Sequence, residues 1–158
     1  MKLFKPDIHK LYQKLCFKGS KAMPIKLLMQ DFGNITDKYG HNILHILATD
    51  PSIRLQKITR EIIQYDDAEL VKYMLRQLNF QKDSPVEAAF FSENEKFMDE
   101  AFKVLSPEEV MNMDYLRKSY VKYHTYTLDC LLRENYGDDF VEVFGDYGAE
   151  DLGVVQEV

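Results

Sequence analysis

The chain has no tryptophan, only two cysteines and five prolines, and seven glycines in 158 residues. Two cysteines, Cys16 and Cys130, cannot build a disulfide framework, so free thiols in a reducing compartment are expected. The glycines and prolines are scattered, which leaves no flexible linker, no low-complexity tract and no glycine-rich phosphate loop. No apolar run approaches the ~18 residues needed to cross a bilayer. Met1 to Cys16 is broken by charge and lacks the apolar core of a secretory leader. A cytoplasmic protein with no membrane partner is the expectation. The net charge of −6 also lacks the cationic excess that phosphate neutralisation requires, which argues against nucleic acid as a partner.

Hydrophobic residues make up 46% of the chain, enough for a single folded domain with its own core. Charge is unevenly placed. Met1 to Lys26 carries seven lysines and one acid, Asp7, whereas Glu134 to Val158 carries eight acids and no lysine or arginine. Three similar segments recur at a constant step: Asn42 to Leu47, Ser84 to Ala89 and Tyr126 to Leu131, so that position 42 maps onto 84 and 84 onto 126. A fixed step of this size marks stacked units that cannot bury their apolar faces alone.

Apolar residues recur at helical spacing almost throughout. Ile8, Leu11, Tyr12, Leu15 and Cys16 share a face behind the capping residue Asp7. Asn42 starts a helix at Ile43, and Asp50-Pro51 opens one carrying Ile53 to Ile63. Asp66 with Glu69 reads as a capping box, as does Ser92 with Glu95. Ser84-Pro85-Val86-Glu87 and Ser106-Pro107-Glu108-Glu109 are further helix starts, the latter predicting one helix through Tyr120. The last helix is predicted to run from Asp138 to Tyr147 and to stop at Gly148. The expected organisation is one repeat domain over 1–158: capping helices in 1–36, repeats in 37–78 and 79–120, a C-terminal repeat in 121–152 and a frayed tail in 153–158.

Asp37-Lys38-Tyr39-Gly40 followed by Leu44-His45 and Ala48 resembles the ankyrin repeat, whose turn leads into a T-P-L-H-x-A run. Ser84-Pro85-Val86-Glu87-Ala88-Ala89 is similar to the same run, with Glu87 in the histidine place, and Leu128-Asp129-Cys130-Leu131 resembles a common variant. Phe140 to Ala149 is similar to the family's second helix with its Gly-Ala ending. The step of 42 exceeds the family's ~33, and three helices per unit is also the plan of armadillo/HEAT-like α-solenoids. The expected fold is therefore all-α, a short ankyrin-like helical-repeat solenoid, with the armadillo/HEAT-like form as the alternative. For elongated, divergent repeats the resemblance implies a microbial or viral effector that acts on a host factor, in which case host-cell cytoplasm is the location.

Stacking would align the turns in a row above a concave wall of first helices. Leu44, Val86 and Leu128 are expected to point into the stack. The candidate partner-binding residues are Lys38, Tyr39 and His41, then Gln81, Lys82 and Asp83, then Tyr123, His124 and Tyr126. The tyrosines are the best anchors, since they offer contact area at little entropic cost. The cluster Tyr115, Tyr120, Tyr123 and Tyr126 is expected to be mainly core.

Catalytic and metal chemistry find no support. His41 and His45 have i, i+4 spacing, but Asn42 stands where a metalloprotease needs glutamate and His41 precedes the helix. The resemblance gives His45 a structural role, tethering adjacent turns. The paired acids Asp66-Asp67, Glu108-Glu109 and Asp138-Asp139 each sit at a helix start, where capping explains them. The expectation is a non-enzymatic protein-protein interaction module without cofactor or metal, a monomer or weakly self-associating. The alternative is a structural protein that self-assembles through its basic N-terminal and acidic C-terminal ends.

Overall fold

The computed structural model describes residues 6–123 and 126–151. Within them the chain is all-helical, with no strand. The helices are α1 (Ile8–Lys18), α2 (Ile25–Phe32), α3 (Ile43–Ala48), α4 (Ile53–Ile63), α5 (Ala68–Arg76), α6 (Pro85–Phe91), α7 (Glu95–Val104), α8 (Pro107–Met111), α9 (Asp114–Tyr123), α10 (Tyr126–Tyr136) and α11 (Asp138–Asp151). A 3-10 turn, Gly19–Lys21, follows α1.

Helix starts are set by side chains that take up the orphan N–H groups of the first turn. Asp7 accepts from His9 and Lys10 at the start of α1. Asn42 and His45 cap α3 reciprocally, and Ser84 and Glu87 do the same for α6. Two starts differ from the sequence reading. The cap of α5 is Asp67 rather than Asp66, and that of α7 is Asn94 rather than Ser92. Asn94 has the better geometry because its amide also reaches the end of α3, donating to the carbonyl of Ala48 at 3.1 Å.

The helices form two rows. In one, α3 packs on α6 and α6 on α9; in the other, α4 packs on α7 and α7 on α10. Outside the rows, Lys72 and Arg76 of α5 meet Glu109 of α8 at 3.5 and 3.3 Å. The interior is continuous, running from Leu11 and Leu15 through Leu44, Val86 and Phe97 to Leu128 and Phe144. On α1, Ile8, Leu11 and Leu15 face this core while Lys10, Lys14 and Lys18 face out. Both cysteines are half-buried.

The repeat step holds from α3 to α6 and from α4 to α7 and then fails. Applied to α6 it would start the next helix of that row at position 127, yet α9 begins at Asp114. Applied to α7 it would give position 137, yet α10 begins at Tyr126. The Tyr126 segment keeps the sequence step, but its helix lies in the second row, on α7. Leu128 is fully buried like Leu44 and Val86, but it does not extend their row. The cause is a break at Asn112-Met113, which divides the single helix expected over 107–120 into α8 and α9. Glu87 supplies the new start by accepting the Leu116 N–H at 3.0 Å. Helix α9 therefore runs across the boundary expected at 120/121.

The final helix also runs past its expected end, continuing through Gly148 to Asp151. Gly148 is instead a close-approach residue against α9. A Cβ there would lie 2.6 Å from both the Arg117 carbonyl oxygen and a Val121 methyl. Gly148→Ala should force α11 away from α9 and lower stability by about 1–3 kcal/mol in urea denaturation, the range of core overpacking. An unchanged midpoint would refute that contact.

Candidate interaction surface

Two turns of the same construction precede α3 and α6. In the first, the Asp37 carboxylate accepts the N–H groups of Tyr39 at 2.8 Å and His41 at 2.9 Å, while Asp37 N–H donates to the His41 carbonyl at 2.9 Å. In the second, the Asn79 side-chain oxygen accepts from Gln81 at 2.9 Å and Asp83 at 3.0 Å, while Asn79 N–H donates to the Asp83 carbonyl at 3.0 Å. The left-handed residue is Gly40 in one (φ 81°) and Lys82 in the other (φ 66°), again one repeat step apart. A backbone bond of 3.0 Å from Phe80 N–H to the Tyr39 carbonyl joins the two turns.

His45 fastens the same seam from below. Its Nδ1 accepts the Asn42 N–H at 3.0 Å, which leaves the proton on Nε2, and Nε2–H donates to the Asp83 carbonyl at 2.9 Å. Burial pushes its pKa down to about 4, so the ring is neutral near pH 7. Asn42 extends the tie by donating to the Met74 carbonyl at 2.8 Å. Asp37 is also partly desolvated, which disfavours its charge. The N–H groups of His41 and Tyr39 and the nearby His9 ring outweigh this and hold its carboxyl below the ordinary range.

With the backbone groups engaged inside the seam, the side chains of Lys38, Tyr39, Gln81 and Lys82 project into solvent. Tyr39 is 53% exposed, with the Lys38 ammonium 5.1 Å from its ring centre. His41 and Asp83 are half-buried. The His41 ring sits between those of Tyr39 and His45, at 6.0 and 5.6 Å. These six expected site residues come together in one row. Tyr123 and Tyr126 are exposed but elsewhere, near the opposite end of α6, where Tyr123 lines a recess with Phe91 and Glu93. His124 lies outside the described residues.

Below the turns a groove of about 490 Å³ runs between α3 and α6, past His41, His45, Thr49, Ala88 and Phe91. Phe91 also borders the recess beside Tyr123, about 560 Å³, which Met98 and Thr127 help to line. Phe91 is half exposed and packs on Tyr115 with ring centres 4.7 Å apart. Of the tyrosine cluster expected to be mainly core, only Tyr120 is buried, its hydroxyl donating to Asp129 at 2.8 Å. Tyr115, Tyr123 and Tyr126 are exposed, while α9 turns Leu116 and Tyr120 and α10 turns Leu128 into the core.

The sequence reading overlooked Phe80 and Phe91, and both left a signal. Phe80 lies one repeat step on from Lys38, an outward turn position. Phe91 lies one repeat step on from Thr49, a polar position at the end of α3.

With both nitrogens of His45 in hydrogen bonds, the His41–His45 pair would have to break the seam to ligate a metal. Among the described residues no group of three or more His, Cys, Asp or Glu is arranged to hold one. Among the same residues no helix is long and apolar enough to cross a membrane. Compared with protein-family models, curated proteins and solved structures, the chain matches none.

Proposed function

We propose that this chain is a non-enzymatic interaction module that holds a partner protein on its paired turns and on the groove between α3 and α6. One observation carries the reading. The turns are braced by a dense set of backbone bonds, while Lys38, Tyr39, Phe80, Gln81 and Lys82 are left outward with little packing duty. Such a surface is preorganised, so little ordering entropy opposes docking. Exposed aromatics among flexible cations are the usual composition of an interface centre and its rim. The two most deeply buried titratable groups, His45 and Glu87, hold helix and turn backbone, which supports a structural role for both.

The test is capture of partners by wild type and by two variants, Tyr39→Ala and Phe91→Ala, with quantitative mass spectrometry. Tyr39→Ala should change stability by less than about 0.5 kcal/mol, as surface substitutions do. It should nevertheless weaken capture of the same partner at least about tenfold, the effect of losing an aromatic anchor. Phe91→Ala should weaken the same partner through the groove. A captured set indifferent to both substitutions would refute the reading.

A further inference from the structure

We propose that the chain associates with copies of itself, the basic recess at α1 and α4 of one molecule receiving the acidic outer face of α11 from the next. This goes beyond the binding of a foreign partner at the turns and uses neither the turns nor the groove.

The recess, about 580 Å³, is lined by Phe17, Lys18, Ser20, Lys21, Arg54 and Lys57. It forms because the 3-10 turn Gly19–Lys21 packs against the start of α4. Four cations meet there on a chain whose net charge is −6. Among the described residues none of the four is in an ion pair. The acid nearest Arg54 in electrostatic effect, Asp50, is held instead by the hydroxyls of Tyr12 and Ser52. The Ser20 hydroxyl in the lining is buried and has no hydrogen-bond partner among the described residues. Phe17 is 89% exposed, and Ile53, beside Arg54, is 83% exposed. Large apolar side chains exposed beside cations that are unpaired among the described residues favour a contact surface.

The matching surface is on the same chain. Asp139, Glu142, Val143 and Tyr147 of α11 are exposed and lie on one helical face, at i, i+3, i+4 and i+8. That face carries the opposite charge and its own pair of apolar side chains. The two surfaces cannot meet within one molecule, since α11 packs on α9 and α10 while α4 packs on the 3-10 turn, α2, α3 and α7. The contact is therefore heterologous, head to tail, and leaves one free surface at each end of an assembly that does not close into a ring. Its strength rests on a few exposed charge pairs and four apolar side chains, so it is weak and salt-sensitive.

Sedimentation equilibrium over a concentration series tests this. At low salt the wild-type average mass should rise with concentration, and 0.5 M sodium chloride, with its Debye length of roughly 4 Å, should return it towards monomer. Arg54→Gln/Lys57→Gln and Asp139→Asn/Glu142→Gln alter only exposed side chains and should each weaken self-association about tenfold or more. Mixed one to one, the two variants should recover association but stop at a dimer, since each retains one working surface. A wild type that stays monomeric throughout would overturn the proposal. So would self-association indifferent to both variants, or a recess that binds anionic vesicles while no assembly forms. None of these outcomes bears on the turns, which Tyr39→Ala and Phe91→Ala test separately.

Discussion

Replacing His45 by alanine is expected to lower the unfolding free energy by about 3–5 kcal/mol. Two effects add. The Asn42 N–H and the Asp83 carbonyl lose their partners in a buried seam, at about 1–3 kcal/mol for each group left unsatisfied. The missing ring also leaves a cavity beside the His41 ring, whose centre is 5.6 Å away. Against a typical domain stability of about 5–15 kcal/mol this is a large fraction. His45→Phe separates the two effects, since it fills the space and still loses both hydrogen bonds.

The same residue sets a pH signature. Burial lowers the His45 pKa from 6.5 to about 4 in the folded chain. The unfolded chain thus takes up its proton first as pH falls. The contribution of the neutral ring is complete above pH 6.5 and is lost progressively down to about pH 4. At 1.36 kcal/mol per pKa unit the loss is about 3 kcal/mol. Asp37, Asp50 and Glu109 also favour their charged forms when folded and weaken the fold in acid, but they do so equally in the variant. The difference between wild type and His45→Phe, measured by urea denaturation at pH 7.5 and 4, isolates the histidine. Parallel losses in the two proteins would contradict the assigned tautomer and its burial.

How far the sequence led depends on which contacts set each element. Local signals did well. Asp7, Asn42, Ser84 and Ser106 each cap the helix that follows them, because a cap needs only residues within one turn. The all-helical class followed from periodicity for the same reason. The turn residues were found where Gly40 announced the left-handed position, and the matching turn was placed only by counting, because Lys82 does not announce one. What failed was non-local. The break between α8 and α9 depends on the Glu87 carboxylate, far upstream of Leu116, and no local pattern at Asn112 reports it. Moving α9 into the first row carried Tyr123 and Tyr126 away from the turns where the repeat count had put them. Gly148 was misread for a related reason: near a helix end a glycine suggests a stop, and only the backbone of α9 shows that it is a contact. The basic and acidic ends were visible as charge. That Phe17 and Ile53 stand exposed among the cations depends on which face of α1 and α4 meets the core.

Glu87 occupies the place in the second unit that His45 holds in the first, and its replacement is the other change expected to matter most. One carboxylate oxygen accepts the Ser84 N–H at 3.1 Å, and the other accepts the Leu116 N–H at 3.0 Å, so a single side chain starts two helices. Glu87→Leu keeps the bulk and removes both acceptors, which should cost about 2–4 kcal/mol at pH 7. Glu87→Gln keeps the bulk and one acceptor and removes the buried charge, so it should cost less than Glu87→Leu. The pH sign is opposite to that of His45. Burial raises the Glu87 pKa despite the Ser84 and Leu116 N–H groups. Its contribution therefore grows as pH falls through the folded pKa and shrinks as pH rises. Acid thus loosens the seam between α3 and α6 while favouring the one between α6 and α9. Local opening then follows the weaker seam. Between pH 7 and 5, hydrogen-exchange protection factors at Ile46, Leu47 and Ala48 should fall while those at Leu116 and Tyr120 hold. In Glu87→Leu the order should reverse, with α9 losing protection already at pH 7. Uniform loss along the chain in either protein would mean that the two seams do not open independently, and that the histidine and the glutamate are parts of one cooperative unit.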